Sequence, residues 1–202
     1  MRLALVIGLF AAAALVQADR LITIPTGRKL PYDTVRYEFR LDPSGSGNPE
    51  SLLGIGIGTS FDMELRTESL TGEKTTGTFD LAYNFLGAVP GLLPGLSLGV
   101  QDALDQTRDG RRFFAATTFR EPCETLNGEF PADITVGMFI AKKSTPFVGV
   151  EIPFSKEFHL LAEDNGLRIS AGAEYRPIPL LNLRAQVIGQ RSFVSVQIFS
   201  KF

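Results

Sequence analysis

Residues 35–42, VRYEFRLD, alternate without a fault: Val35, Tyr37, Phe39 and Leu41 are apolar, and Arg36, Glu38, Arg40 and Asp42 are charged. A helix would scatter those charges around its circumference, whereas an extended chain sets all of them on one face. The segment therefore reads as a β-strand with one face for a nonpolar medium and one for a polar medium. Whatever the chain folds into has to supply both media, because the pattern repeats to the last residue.

After a Ser- and Gly-rich loop from Pro43 to Pro49, Leu53, Ile55 and Ile57 alternate with Gly54, Gly56 and Gly58. A Thr59-Ser60 turn leads to Phe61, Met63 and Leu65, which alternate with Asp62, Glu64 and Arg66, and Ser69 to Lys74 forms the next loop. Phe79, Leu81, Tyr83 and Phe85 alternate with Thr78, Asp80, Ala82 and Asn84. Gly87 to Gly95, with Pro90 and Pro94, turns the chain into Leu96, Leu98 and Val100, and Asp102 to Gly110 is an acidic loop. Residues 112–119, RFFAATTF, form a strand whose facing stays open, because both parities are apolar. Glu121 to Pro131, around Cys123, reads as a long loop before Ile134, Val136, Met138 and Ile140.

Lys142 to Pro146 is a loop, Val148, Val150, Ile152 and Phe154 then alternate with Phe147, Gly149 and Glu151, and a Ser155-Lys156 turn follows. Phe158, Leu160 and Ala162 lie against His159, Leu161 and Glu163, and Asn165-Gly166 is a strong hairpin signal. Leu167, Ile169, Ala171, Ala173 and Tyr175 oppose Arg168, Ser170, Gly172, Glu174 and Arg176. After the Pro177 to Pro179 turn, Leu181, Leu183, Ala185 and Val187 pair with Asn182, Arg184 and Gln186, and Gly189-Gln190 feeds the final strand.

The count is about 12 strands of roughly 8 to 10 residues, near the 9 to 11 that a tilted strand needs to cross a bilayer. A soluble sandwich is the alternative, but its solvated face has no need of Gly54, Gly56, Gly58, Gly99 and Gly172 among the charges. Inside a closed barrel those positions point into a crowded lumen, where small residues make room. The expected fold is an antiparallel up-and-down transmembrane β-barrel over residues 35–202, preceded by an extended lead-in over residues 19–34. Its lumen is expected to be lined by Arg36, Glu38, Arg40, Asp62, Glu64, Arg66, Asp80, Glu151, Glu163, Arg168, Glu174, Arg176 and Arg184. Inward charges need partners or water, so cross-strand ion pairs are expected among them.

The first 18 residues read as a signal peptide: Met1-Arg2 is positive, Leu3 to Val16 is apolar or small, and Val16-Gln17-Ala18 precedes Asp19. The apolar run is shorter than the roughly 20 residues of a spanning helix. No Cys follows the cleavage point, which excludes a lipoprotein. Without Arg2, 19 basic residues stand against 22 acidic ones, and no nucleic-acid partner is expected. Cys123 is the single cysteine, so no internal disulfide can form.

The last stretch, FVSVQIFSKF, puts Val194, Val196, Ile198 and Phe202 on one face and Ser195, Gln197 and Lys201 on the other. It resembles the terminal strand of bacterial outer-membrane barrels, which implies that Phe202 is a signal for the barrel assembly machinery. With the C-terminus in the periplasm, the Pro43 to Pro49, Ser69 to Lys74, Asp102 to Gly110, Lys142 to Pro146, Asn165-Gly166 and Gly189-Gln190 connections face outward. The segments IPTG, TVRYEFR, PGLSLGVQD, PFVGVEIPF and LLAEDNGLRISAGAEYRPIP resemble the YjbH-like outer-membrane barrel proteins associated with exopolysaccharide production. Typical members are several times longer, so this chain is similar to a reduced, single-barrel version. The resemblance implies an outer-membrane location and a role near polysaccharide export, with export proteins, lipid and lipopolysaccharide as partners.

No enzyme and no cofactor are expected. His159 is the only histidine, so a multi-histidine metal site cannot form, and a Ser-His-acid arrangement would have to recruit it. Lys156 and Glu163 beside it fit a polar lumen residue better. Asp102, Asp105 and Asp109 lack the spacing of a calcium loop and read as a solvated acidic loop. Tyr37, Tyr83, Tyr175 and the many Phe suit aromatic belts at the membrane surfaces. The functional expectation is a conduit or accessory for an extracellular polysaccharide. The alternatives are a non-conducting structural barrel and a soluble periplasmic β-protein.

Overall fold

The computed structural model describes residues 20–45, 49–68, 76–107 and 109–202. The expected signal peptide lies outside them. The chain forms twelve antiparallel strands that close into a barrel, as the alternation predicts. They are β1 (Thr34–Leu41), β2 (Glu50–Ile57), β3 (Phe61–Glu68), β4 (Thr76–Leu86), β5 (Gly95–Gln101) and β6 (Arg112–Thr125). The second half comprises β7 (Gly128–Ile140), β8 (Thr145–Pro153), β9 (Phe158–Asp164), β10 (Ile169–Ile178), β11 (Leu181–Ile188) and β12 (Arg191–Lys201). Each strand pairs with its sequence neighbours, and β1 closes the ring against β12 in the register Tyr37↔Ile198.

The alternation sorts the side chains inside out. Glu38 and Glu174 are 0% exposed, whereas Val194 and Ile198 are half exposed. A surface of Leu, Ile, Val and Phe around a charged interior is unstable in water and stable in hydrocarbon, and closure leaves no unpaired strand edge in the wall. The molecule is a transmembrane barrel of the outer-membrane kind. At the end where the C-terminus emerges, outward aromatics gather: Phe61, Tyr83 and Phe85 stack in sequence with centroids 4.8 and 4.6 Å apart, and Phe154 packs edge-on to Phe158. Such rings suit a membrane–water boundary.

The strand with open facing, β6, turns its even positions inward: Phe114 and Ala116 are buried, while Phe113 and Phe119 face out. The expected loop from Glu121 to Pro131 is instead a hairpin, with β6 and β7 paired from Phe113↔Ile140 to Thr125↔Gly128. Beyond Thr118 on one side and Asp133 on the other the ladders to β5 and β8 end, and the hairpin continues as a two-stranded ribbon whose tip returns to the wall through the Leu126 amide, which donates to the Phe154 carbonyl at 3.4 Å. Pro122 faces Pro131 across it. Prolines fit only where the amide would point away from the partner strand, so the pair strips donors from both open edges. The ribbon is tied at its root by the Gly91 amide donating to the Arg120 carbonyl at 2.8 Å.

The segment expected as an extended lead-in turns back on itself at its start and lies inside the barrel. Residues 20–25 fold back on themselves through a bridge between Arg20 and Pro25, and Leu21, Ile22, Ile24 and Leu30 are buried inside the ring. Strand alternation cannot announce this, because the segment has none.

Candidate functional site

The lumen is the place where polar chemistry collects, and it is occupied by the chain's own N-terminal segment. Leu21, Ile22 and Ile24 join Phe114, Ala116, Phe139, Phe147 and Leu161 in one apolar cluster inside the barrel. Phe139 and Phe147 stack with centroids 4.5 Å apart, and the Arg112 guanidinium lies 4.0 Å above the Phe139 ring. The inward glycines make room for the segment's backbone. A Cβ on Gly149 would lie 2.5 Å from the Leu21 Cδ2 and 2.6 Å from the Ile24 Cδ1. Gly27 and Gly95 meet backbone to backbone, and the Leu30 and Pro31 carbonyls run past Gly56.

Polar anchors hold residues 20–30 at every level. Arg20 reaches Glu64 at 2.6 Å and Glu38 at 3.3 Å, and Arg28 reaches Asp133 at 2.5 Å and Glu151 at 2.9 Å. The Glu163 carboxylate accepts the amides of Ile22, Thr23 and Ile24 at 2.9 to 3.3 Å and the Thr23 hydroxyl at 2.5 Å. Arg184 donates to the Leu21 carbonyl at 2.8 Å, Arg40 to the Ile22 carbonyl at 3.1 Å, and Gln101 to the Thr23 carbonyl at 3.1 Å. Lower in the lumen, the Gly27 amide donates to Thr118 at 2.7 Å, Ser97 to the Thr26 carbonyl at 2.7 Å, and Lys29 to the Gly58 carbonyl. This combination of an apolar cluster and converging anchors is the construction of a protein core.

The residues named from the sequence sit as follows. Arg36 pairs with Glu64, Arg40 with Glu38 at 2.6 Å, and Arg66 with Asp80 at 3.5 Å. Arg176 bridges Glu151 at 2.6 Å and Glu174, and Arg184 also pairs with Glu174. Asp62 accepts from the Asn84 amide at 2.8 Å and the Leu30 amide at 3.3 Å. Arg168 sits apart from the lumen network, half-buried and paired with Asp109 at 2.5 Å. Phe202 is 74% exposed, with its amide donating to the Asp33 carbonyl at 3.0 Å. Sequence reasoning missed Arg20 and Arg28 in the plug, and the wall pair of Arg120 with Asp133 at 2.8 Å. The signal for the plug was present: LITI lies next to a barrel whose inward positions include Phe114, Phe139, Phe147 and Leu161, too apolar for a water-filled lumen.

His159 faces inward, with Nδ1 3.0 Å from Glu151 and Nε2 3.4 Å from the Lys156 carbonyl, so both ring nitrogens meet protein groups. Among the described residues no group of three His, Cys, Asp or Glu is placed to hold a metal ion. The acidic loop between β5 and β6 spends its carboxylates on itself and on the rim. Asp102 accepts from the Thr78 and Thr107 hydroxyls and from the Gln106 and Thr107 amides at 2.6 to 2.9 Å. Burial alone would push this carboxyl up; the hydrogen bonds outweigh it and hold it at about 2. Asp105 accepts from the Arg111 amide at 2.7 Å, and Asp109 pairs with Arg168 and Arg112.

No family model matches the chain, and no curated protein does. Among solved structures it is similar to the KdgM porin, at a TM-score of 0.52 and 10% identity over 84% of this chain and 99% of that one. A second similar structure is the KdgM porin in complex with disordered oligogalacturonate, at a TM-score of 0.51 with the same identity and coverage. At 10% identity the likeness is one of fold: this chain shares the barrel architecture of a porin.

Proposed function

We propose that this protein is a closed accessory barrel of the outer membrane, which serves surface polysaccharide handling by contact rather than by passage through its lumen. The observation that carries the reading is that residues 20–31 fill the lumen as a core, with Ile22, Ile24 and Leu30 at 0% exposure. A solute would have to displace the cluster, two arginines with their carboxylates, and the Glu163 cap together. The glycan part of the reading is supported by the resemblance to the YjbH-like proteins and by the oligogalacturonate held by one structurally similar porin. Polysaccharide-export proteins of the envelope are the proposed partners, with lipopolysaccharide and membrane lipid around the wall and the barrel assembly machinery acting on Phe202.

Single-channel recording in planar bilayers tests the reading. The full chain is expected to be electrically silent, and a variant lacking residues 20–31 is expected to open steady conductance. Steady conductance from the full chain would overturn the closed reading in favour of a conduit.

A further inference from the structure

The outer surface of β6 and β7 carries a feature that neither barrel closure nor lumen packing explains. The wall register pairs Phe113 with Ile140 on the outward face, where they are 58% and 50% exposed. Just past that pair both strands end, and Arg111 precedes β6 while Lys142 and Lys143 follow β7 at the same end of the barrel. Arg112, one residue on, points inward to the Phe139 ring, which fixes the alternation. Arg111, Lys142 and the adjacent Lys143 are exposed. Asp109, the near carboxylate, is committed to Arg168 and Arg112, while Asp105 takes the Arg111 amide. Three exposed cations at one end of the wall, with the neighbouring carboxylates already engaged, attract an anion.

Directly below these cations the wall holds an outward-facing groove of about 450 Å³ whose lining includes Leu81, Tyr83, Leu98, Val100, Phe113 and Ile140. In a bilayer such a groove is filled by hydrocarbon. The two features are joined by chain: only Arg112 separates Arg111 from Phe113, and only Ala141 separates Ile140 from Lys142. A ligand that satisfies both has an anionic head at the membrane surface and an acyl chain beneath it.

We propose that this surface binds a phosphorylated, acylated glycolipid of the outer leaflet, of the lipid A type, with a phosphate between Arg111 and Lys142, Lys143 beside it, and an acyl chain in the groove. Arginine and lysine at a membrane surface attract such headgroups, and arginine adds forked hydrogen bonding to phosphate. The inference rests on the outer-membrane reading and on this loop end facing outward, because only then does the site meet the glycolipid leaflet.

Native mass spectrometry of the detergent-folded full chain, titrated with lipid A, dephosphorylated lipid A or inorganic phosphate, tests it. The expected result is retained lipid A, with the R111E/K142E double variant and the dephosphorylated lipid both weaker by about tenfold or more. Inorganic phosphate alone should not be retained. Equal retention of lipid A by parent and variant, or of both lipids by the parent, would overturn the site, and retained phosphate would reduce it to an anion site. Heat-shifted mobility on gels verifies folding, and R111Q/K142Q replaces the reversal if that does not fold. Orientation is read separately: a membrane-impermeant thiol reagent should leave Cys123, on the opposite end of the barrel, unlabelled on intact cells. Labelling from outside would place the basic pair in the inner leaflet and overturn the glycolipid assignment without touching the binding result.

Discussion

At the scale of single residues, the lumen is decided by positions where nothing larger than hydrogen fits. Gly149 is tightly placed, since the Leu21 and Ile24 methyls occupy the space its Cβ would need. Gly149→Val should push the plug off its seat and destabilise the folded barrel by about 1–3 kcal/mol, read as a lower urea midpoint in detergent micelles. Glu163 is the complementary case, one carboxylate serving three consecutive amides and a hydroxyl. Glu163→Gln replaces part of its acceptor capacity with donors, so buried amides lose partners at a cost of about 1–3 kcal/mol, measurable by the same titration. The inward charges were legible from alternation alone, because Arg36, Glu38 and Arg40 could share only one face. Their plug partners were not, because Arg20 and Arg28 lie in a stretch without periodicity, and their contacts depend on tertiary folding rather than on local pattern.

At the scale of elements, the ribbon and the acidic loop behave differently. Beyond the wall the β6–β7 ribbon has no ladder to a third strand, so replacing residues 121–132 with a two-residue Asn-Gly turn should leave the barrel's heat-shifted mobility unchanged. A collapse of the shifted band would show that the ribbon helps to close the wall. The loop after β5 is tied by Asp102, whose carboxyl titrates at about 2, below the ordinary value of about 4. Its stabilising contribution is therefore complete above about pH 4 and lost as pH falls through about 2. Asp102→Asn should destabilise the barrel at neutral pH and match the parent near pH 2, as followed by thermal unfolding. Strand existence was readable in all twelve elements, but the ribbon was misread because two prolines and a Cys suggest a loop. A proline pair placed opposite each other on free edges is compatible with a hairpin, and nothing local distinguishes the two.

At the scale of the whole molecule, the barrel departs from an open pore in how its interior is satisfied. Lumen arginines pair with lumen carboxylates, and the plug's arginines join the same network rather than leaving it to a passing solute. The plug precedes every strand in the chain, yet Gly27 waits for Thr118, 91 positions later, and Leu21 waits for Arg184, 163 positions later. The ring itself closes only when β12 reaches β1. Contacts of such long sequence separation form slowly, because loop-closure entropy is lost before they contribute stability. The plug is thus the last part of the fold to find its seat, and until β9 to β12 arrive, its apolar LITI run has no finished ring to enter. A chain stalled before its final hairpin leaves the ring open around the plug, and its N-terminal segment is then the stretch a holding chaperone would grip.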